Sequence, residues 1–235
     1  MTLSPADRLR LWEGALDADP VSRPLALLAA GRSDGARAWH LSIAERDAAL
    51  IDVYRRVVGE RIDGTFDCET CGQAVEVSLD TAALLSGPGP GSLSLALEGY
   101  LLTVRPPDSD DLAAAAALPG ADARELLAGR MIVASHDGRP VPAAQLPPRV
   151  LRSALRAVED SHPLLEPIIT AECPWCGASG GVLLEIGAVL WGHVQADARR
   201  LLTEVDALAR AYGWSEAEIL GLSDRRRATY LELTG

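Results

Sequence analysis

Two short motifs, Cys68-Glu-Thr-Cys71-Gly72 and Cys173-Pro174-Trp175-Cys176-Gly177, use every cysteine in this chain and stand 101 residues apart, from Gly72 to Glu172. Two C-x-x-C pairs supply the four sulfurs that a tetrahedral structural zinc site requires. The turn made by C-x-x-C-G aims both sulfurs and several backbone N–H groups at one point, and its glycine permits the left-handed backbone the turn needs. Each pair runs into an alternating apolar segment, Val75-Glu-Val77-Ser-Leu79 after the first and Val182-Leu-Leu184-Glu-Ile186 after the second. A knuckle followed by a strand, present twice, is the plan of a zinc ribbon. Closing so long a span costs on the order of 4 kcal/mol. Structural zinc contributes roughly 10–16 kcal/mol in small peptides, enough to offset that cost. The expected ligands are therefore Cys68, Cys71, Cys173 and Cys176, around a structural Zn²⁺ that ties distant parts of the chain together.

Other uses of the same cysteines fit less well. Cys173-Pro-Trp-Cys176 has the form of a thioredoxin-type dithiol. Such a centre needs its first cysteine at a helix N-terminus, which lowers the thiol pKa. Here the pair precedes Gly177-Ala-Ser-Gly180-Gly181, a poor helix start. A catalytic zinc would keep an open position, whereas four thiolates close the shell. His40, His136, His162 and His193 form no H-E-x-x-H pattern and are expected to be surface or half-buried; His193, nearest the ribbon in sequence, is a weak alternative ligand. No phosphate loop with G-K-[ST] and no G-x-S-x-G elbow occurs, and no catalytic residue is assigned.

Charge narrows the partners. The chain of 235 residues carries a net charge of −11, and all 22 basic residues are arginine. Strong negative charge repels nucleic acid phosphates, so DNA or RNA binding is not expected. The first twenty residues lack the apolar core of a signal peptide, and no apolar run approaches the roughly 20 residues of a membrane span. A cytoplasmic protein with reduced thiols is expected, a setting in which paired cysteines favour metal over disulfide.

Patterning divides the rest into an α+β organisation. Residues 1–64 read as a helical region: Ser4-Pro5 starts a helix with Leu9, Trp12 and Leu16 on one face, residues 25–30 form a short apolar segment, and Ser42-x-x-Glu45 is a capping box. Asp63-Gly64 reads as the turn into the first knuckle. The split ribbon takes residues 65–85 and 165–187, and residues 86–164 form an inserted α+β segment. Within that segment, 87–91 reads as a loop and alternation around Glu98-Gly99 predicts a hairpin. Helices are expected over 110–118 and 122–128, a short strand over 131–134, and a helix from Pro148. Residues 188–235 form a carboxy-terminal helical region. Its stripe of Leu190, Val194, Ala198, Leu201, Val205, Leu208, Ala209 and Tyr212 ends at Gly213, and Ser215-x-x-Glu218 and Ser223 cap two shorter helices. The run Arg225-Arg226-Arg227 is expected on a solvated face, and Trp175, Trp191 and Trp214 in the core or the ribbon packing.

The carboxy-terminal pattern carries a resemblance. Leu202, Glu204, Val205, Leu208, Ala209, Tyr212-Gly213-Trp214-Ser215, Glu218-Ile219-Leu220 and Leu222, followed by Arg225-Arg226-Arg227 and Tyr230-Leu231, resemble the T-even-phage-type baseplate hub assembly chaperones of phage tails and contractile injection systems. The Cys68 segment with Leu79-Asp80, and Cys173-Pro174-x-Cys176-Gly177, are similar to zinc-ribbon members of that group. The likeness covers mainly residues 43–80 and 165–233. It implies a non-enzymatic assembly chaperone or adaptor that acts on baseplate, hub or other tail proteins in the cytoplasm. The alternatives are a structural subunit retained in the particle, or a zinc-ribbon module for dithiol chemistry or nucleic-acid binding.

Overall fold

The computed structural model describes residues 3–31, 35–85 and 91–234. Helix α1 (Pro5–Ala15) begins where the Ser4 hydroxyl accepts the Asp7 N–H. Helix α2 (Ser22–Gly31) and a 3-10 turn (Gly35–His40) lead to α3 (Ile43–Val57). The predicted capping box starts α3: Glu45 N–H donates to the Ser42 hydroxyl, and Ser42 N–H donates to the Glu45 carboxylate. Strands β1 (Arg61–Asp67) and β2 (Ala74–Asp80) form an antiparallel hairpin, and Asp80 caps the one-turn α4 (Thr81–Leu84). Asp63-Gly64 is not a turn; the two residues pair with Ser78 and Val77 inside β1. The knuckle itself reverses the chain, so no earlier turn is needed, and the hairpin draws in residues from 61 onward that the sequence assigned to the helical region.

The middle segment is a four-stranded antiparallel sheet in the order β3-β4-β5-β6, covered on one face by a helix. Strands β3 (Leu93–Leu97) and β4 (Tyr100–Val104) turn through Glu98 and Gly99, both at positive φ, as a tight twisted hairpin demands. Helices α5 (Ser109–Ala116) and α6 (Gly120–Met131) follow, then β5 (Ile132–His136), β6 (Arg139–Val141), a 3-10 turn (Ala143–Gln145) and α7 (Pro148–Ser161). Leu102, Val104, Ile132 and Ala134 on the covered face pack with Val150, Ala154 and Val158 of α7. The glycine-proline stretch read as a loop lies, Gly91 apart, outside the described residues.

The second knuckle joins β7 (Ile168–Glu172) to β8 (Ser179–Leu183), another antiparallel hairpin. Helix α8 (Ile186–Tyr212) then runs 27 residues, about 40 Å. It stops at Gly213, whose left-handed backbone (φ 70°) lets its N–H reach the Ala209 carbonyl. Its first half lays Ile186, Leu190 and Val194 against Leu11, Leu27, Leu28, Leu50, Ile51 and Tyr54 of the first three helices, making the main core. Helices α9 (Glu216–Leu220) and α10 (Asp224–Thr234) fold back on α8. Helical ends, antiparallel sheets and 55% helix with 20% strand make this an α+β fold.

Several side chains depart from the expected pattern. Arg227 is fully buried rather than solvated, while Leu16 and Tyr212 of the predicted stripes are exposed. His162 is buried, its Nδ1 2.8 Å from the Val158 carbonyl. Trp175 is 61% exposed at a knuckle tip instead of packed. No described helix is long and apolar enough to cross a membrane.

Candidate metal centre

The two knuckles are the same local structure. In each, the first cysteine donates its N–H to the carbonyl five residues on, Cys68 to Gln73 and Cys173 to Ala178, both at 2.9 Å. In each, the first cysteine's carbonyl accepts the glycine N–H four residues on, at 2.7 Å from Gly72 and 2.9 Å from Gly177. Gly72 and Gly177 hold φ of 71° and 72°, a conformation that strains any residue with a Cβ. Each knuckle thus caps its own two-stranded hairpin; Ile168 and Ile169 lead into the second knuckle as a strand, as their apolar character predicts, while the strand ahead of the first knuckle, β1, is an addition.

The hairpins meet with their tips together. Cys68, Cys173 and Val75 are buried between them, lined by Phe66, Ala171 and Ala178. Phe66 lies across the backbone of Gly180, where a Cβ would come within 2.9 Å of its ring. This interlock is absent from the motif reading, although Phe66 is the only phenylalanine in the chain and Gly180-Gly181 stands inside a strand. All four sulfurs lie within 4.8 Å of one another. Across the hairpins Cys68 Sγ is 3.7 Å from Cys176 Sγ, and Cys71 Sγ is 3.6 Å from Cys173 Sγ. These separations are far too long for disulfides, whose sulfurs sit about 2.05 Å apart. They match the edge of a tetrahedron whose centre lies about 2.3 Å from each sulfur, an edge of about 3.8 Å. The four cysteines therefore make a site able to hold a metal ion.

Electrostatics agrees with a site made for a cation. Backbone N–H groups of Cys71 and Thr70 point at the Cys68 sulfur and lower its pKa to about 6. Cys71 goes the other way: the Gln73 N–H favours its thiolate, but burial and the crowding by Cys176, Cys173 and Cys68 push it up to about 12. Cys176 is also raised, because burial and the Cys68 and Cys173 sulfurs outweigh the Ala178 N–H. Without a central positive charge, sulfurs this close cannot all be thiolates. With one, all four can.

The remaining candidates fall elsewhere. Among the described residues the metal-capable cluster consists of the four cysteines, and His193 is not part of it; its ring stands edge-on to Tyr54 at 5.5 Å, on α8. His136 stacks near Tyr100, at 4.6 Å, on the central sheet. Neither cysteine pair opens a helix: both sit at hairpin tips, so the dipole that activates a redox dithiol is absent from the described structure around them. Cys68 and Cys173 are buried, with Cys71 and Cys176 exposed at the rim. Comparison with protein-family models, with curated protein sequences and with solved structures finds no match to this chain.

Proposed function

We propose that this chain is a non-enzymatic assembly chaperone or adaptor for the baseplate or hub of a phage-tail-like contractile particle, pinned in shape by one structural Zn²⁺. The observation that supports the metal is the meeting of four sulfurs within 4.8 Å of one another, two cross-hairpin pairs at 3.6–3.7 Å, from motifs 101 residues apart in sequence. A tetrahedral S4 set suits zinc or an iron–sulfur centre. Zinc is the better reading, because the inner sulfurs are buried and leave one compact, closed shell. The ion would be held by Cys68, Cys71, Cys173 and Cys176 and would act on architecture alone. Elemental analysis should give one zinc per chain with no iron; a coloured, iron-bearing preparation would overturn this part.

The assembly role rests on the carboxy-terminal resemblance. Its residues fold into the end of α8, α9 and α10, where Tyr212, Trp214 and Tyr230 gather with ring centres 4.6–5.6 Å apart. Aromatic anchors dominate many protein interfaces, and this group is partly open to solvent. The test is genetic and compositional. Cells that make the particle but lack this chain should fail to complete baseplates, while particles from unaltered cells should not contain it. Stoichiometric retention in purified particles would favour a structural subunit instead. Normal particles without the chain would remove the assembly reading altogether.

A further inference from the structure

The last two helices meet the body through a ring of charges as well as apolar and aromatic contacts. Six side chains from three helices close a ring of alternating sign. Arg8 of α1 pairs with Asp197 of α8 at 3.2 Å, and Asp197 pairs with Arg200 at 2.6 Å. Arg200 pairs with Glu204, and Glu204 with Arg227 of α10 at 2.9 Å. Arg227 pairs with Asp224 at 2.6 Å, and Asp224 closes the circuit to Arg8 at 3.2 Å. Arg227 also donates to the Leu222 carbonyl at 2.7 Å. Three arginines face three carboxylates, so the ring is neutral only as a whole.

Apolar support at this junction is smaller than in the main core: Tyr212 and Trp214 stack near the rim, with Tyr230 of α10 edge-on to both. Leu9, Ala198, Leu201 and Leu220 form a small separate cluster, with Leu208 and Ile219 buried nearby. A cleft of about 830 Å³ undercuts the junction between Ser4, Pro5 and Ala6 and the turn at Leu220, Gly221 and Leu222. The ring is buried at Arg227, largely buried at Arg8, Glu204 and Asp197, and open at Arg200 and Asp224, which are 48% and 62% exposed. Its buried pairs add little net stability, yet losing one partner leaves a buried charge poorly compensated. An element held this way tends to leave all at once.

We propose that α9 and α10 form a latched arm: the six-membered ring is its catch, and the arm opens as a unit while the rest of the chain stays folded. Opening uncovers Leu9, Ala198 and Leu201 on the body and Leu220 on the arm. This inference is independent of the assembly role and of the metal.

Hydrogen exchange on the full-length, metal-loaded chain tests it. Amides of α10 should exchange through an opening that α3 amides do not share. Arg8→Met should accelerate α10 exchange by about tenfold, and Glu204→Gln, which leaves the buried Arg227 only the exposed Asp224 and the Leu222 carbonyl, by on the order of a hundredfold or more. In both variants α3 should be unchanged. The pair Glu204→Met with Arg227→Met removes both charges, and should return α10 protection most of the way to that of the native chain. Equal exchange of α10 and α3 in the native protein would overturn the proposal. So would acceleration of both helices together in the Arg8→Met and Glu204→Gln variants.

Discussion

The helical body and the paired hairpins are parts of one chain stabilised by different means. In the body, α1, α2, α3 and the first half of α8 bury a continuous apolar cluster that includes Leu27, Leu50, Ile51, Tyr54 and Leu190. The hairpins reach that core through Ile62, Ile169 and Leu184, with Val77 and Leu79 of β2 packed against it. Toward the tips the apolar cluster is small: Val75 is buried with Cys68 and Cys173, and Phe66, Ala171 and Ala178 pack around them. A two-stranded ribbon is marginal in water without a partner layer. Sulfur geometry therefore supplements a small apolar cluster at the tips, and each region should respond to a different perturbation.

Metal removal is the sharpest way to separate them. Cys173→Ser, or a strong chelator, should release the ion and unprotect amides at the hairpin tips. The loss should be several kcal/mol, since metal binding and local folding are one process. Far-ultraviolet circular dichroism should keep most of its helical signal. Unchanged exchange at residues 66–75 and 171–180 after chelation would break the contrast.

The reciprocal change is Leu50→Ala, which empties a fully buried site in the body. It should lower stability by about 2–5 kcal/mol while the metal-to-protein ratio stays at one. A loss of metal in this variant would mean that the two regions are a single cooperative unit.

Smaller effects probe the tips. Gly180→Ala forces a methyl against the Phe66 ring and should cost about 1–3 kcal/mol, measured by thermal melting. Its metal should also be lost at lower chelator concentration. Gly72→Ala, at a left-handed position, should cost about 1–2 kcal/mol by the same assay.

The smallest expected effects have opposite signs in two regions. Burial pushes the Asp47 carboxyl in α3 above its ordinary value of 3.8, against the opposing Arg46, with Glu185 adding to the rise. The body's share of stability from Asp47 is thus greatest at low pH and is lost as pH rises through the raised value. At Asp111 in α5, burial also raises the pKa, but the hydrogen bonds from Arg105 and the Asp108 N–H, with Arg130 nearby, hold it below 3.8. Its contribution is present above the ordinary value and lost as pH falls through the lowered one. Acidification from pH 6 should therefore first favour the body, then weaken the middle segment below about pH 4. Exchange measured across that range should show this order, and Asp111→Asn should abolish the second phase.

Local signals in the sequence were legible wherever the cause was local. Both serine–glutamate capping boxes, the Glu98-Gly99 hairpin and the Gly213 helix end arise from interactions within a few residues, and each is formed as expected. The four cysteines announced their own meeting because a shared metal site suits two such pairs better than a redox dithiol does. What escaped the sequence depends on distant partners. Nothing near Arg227 reveals that Glu204, 23 positions away, will neutralise it in a buried setting. Asp63-Gly64 has the composition of a turn, yet a strand forms there because Ser78 and Val77 pair across from it.

By itself the amino-acid order determined the helix starts and stops, the twin knuckle turns and the presence of both sheet and helix, because capping, turn preference and periodicity act over one or two turns of chain. Only the tertiary structure decided that Phe66 rests on Gly180, that Trp175 faces water, and that three helices share one ring of charges. Those outcomes depend on which surfaces meet, and desolvation is decided by the neighbours a residue acquires in space.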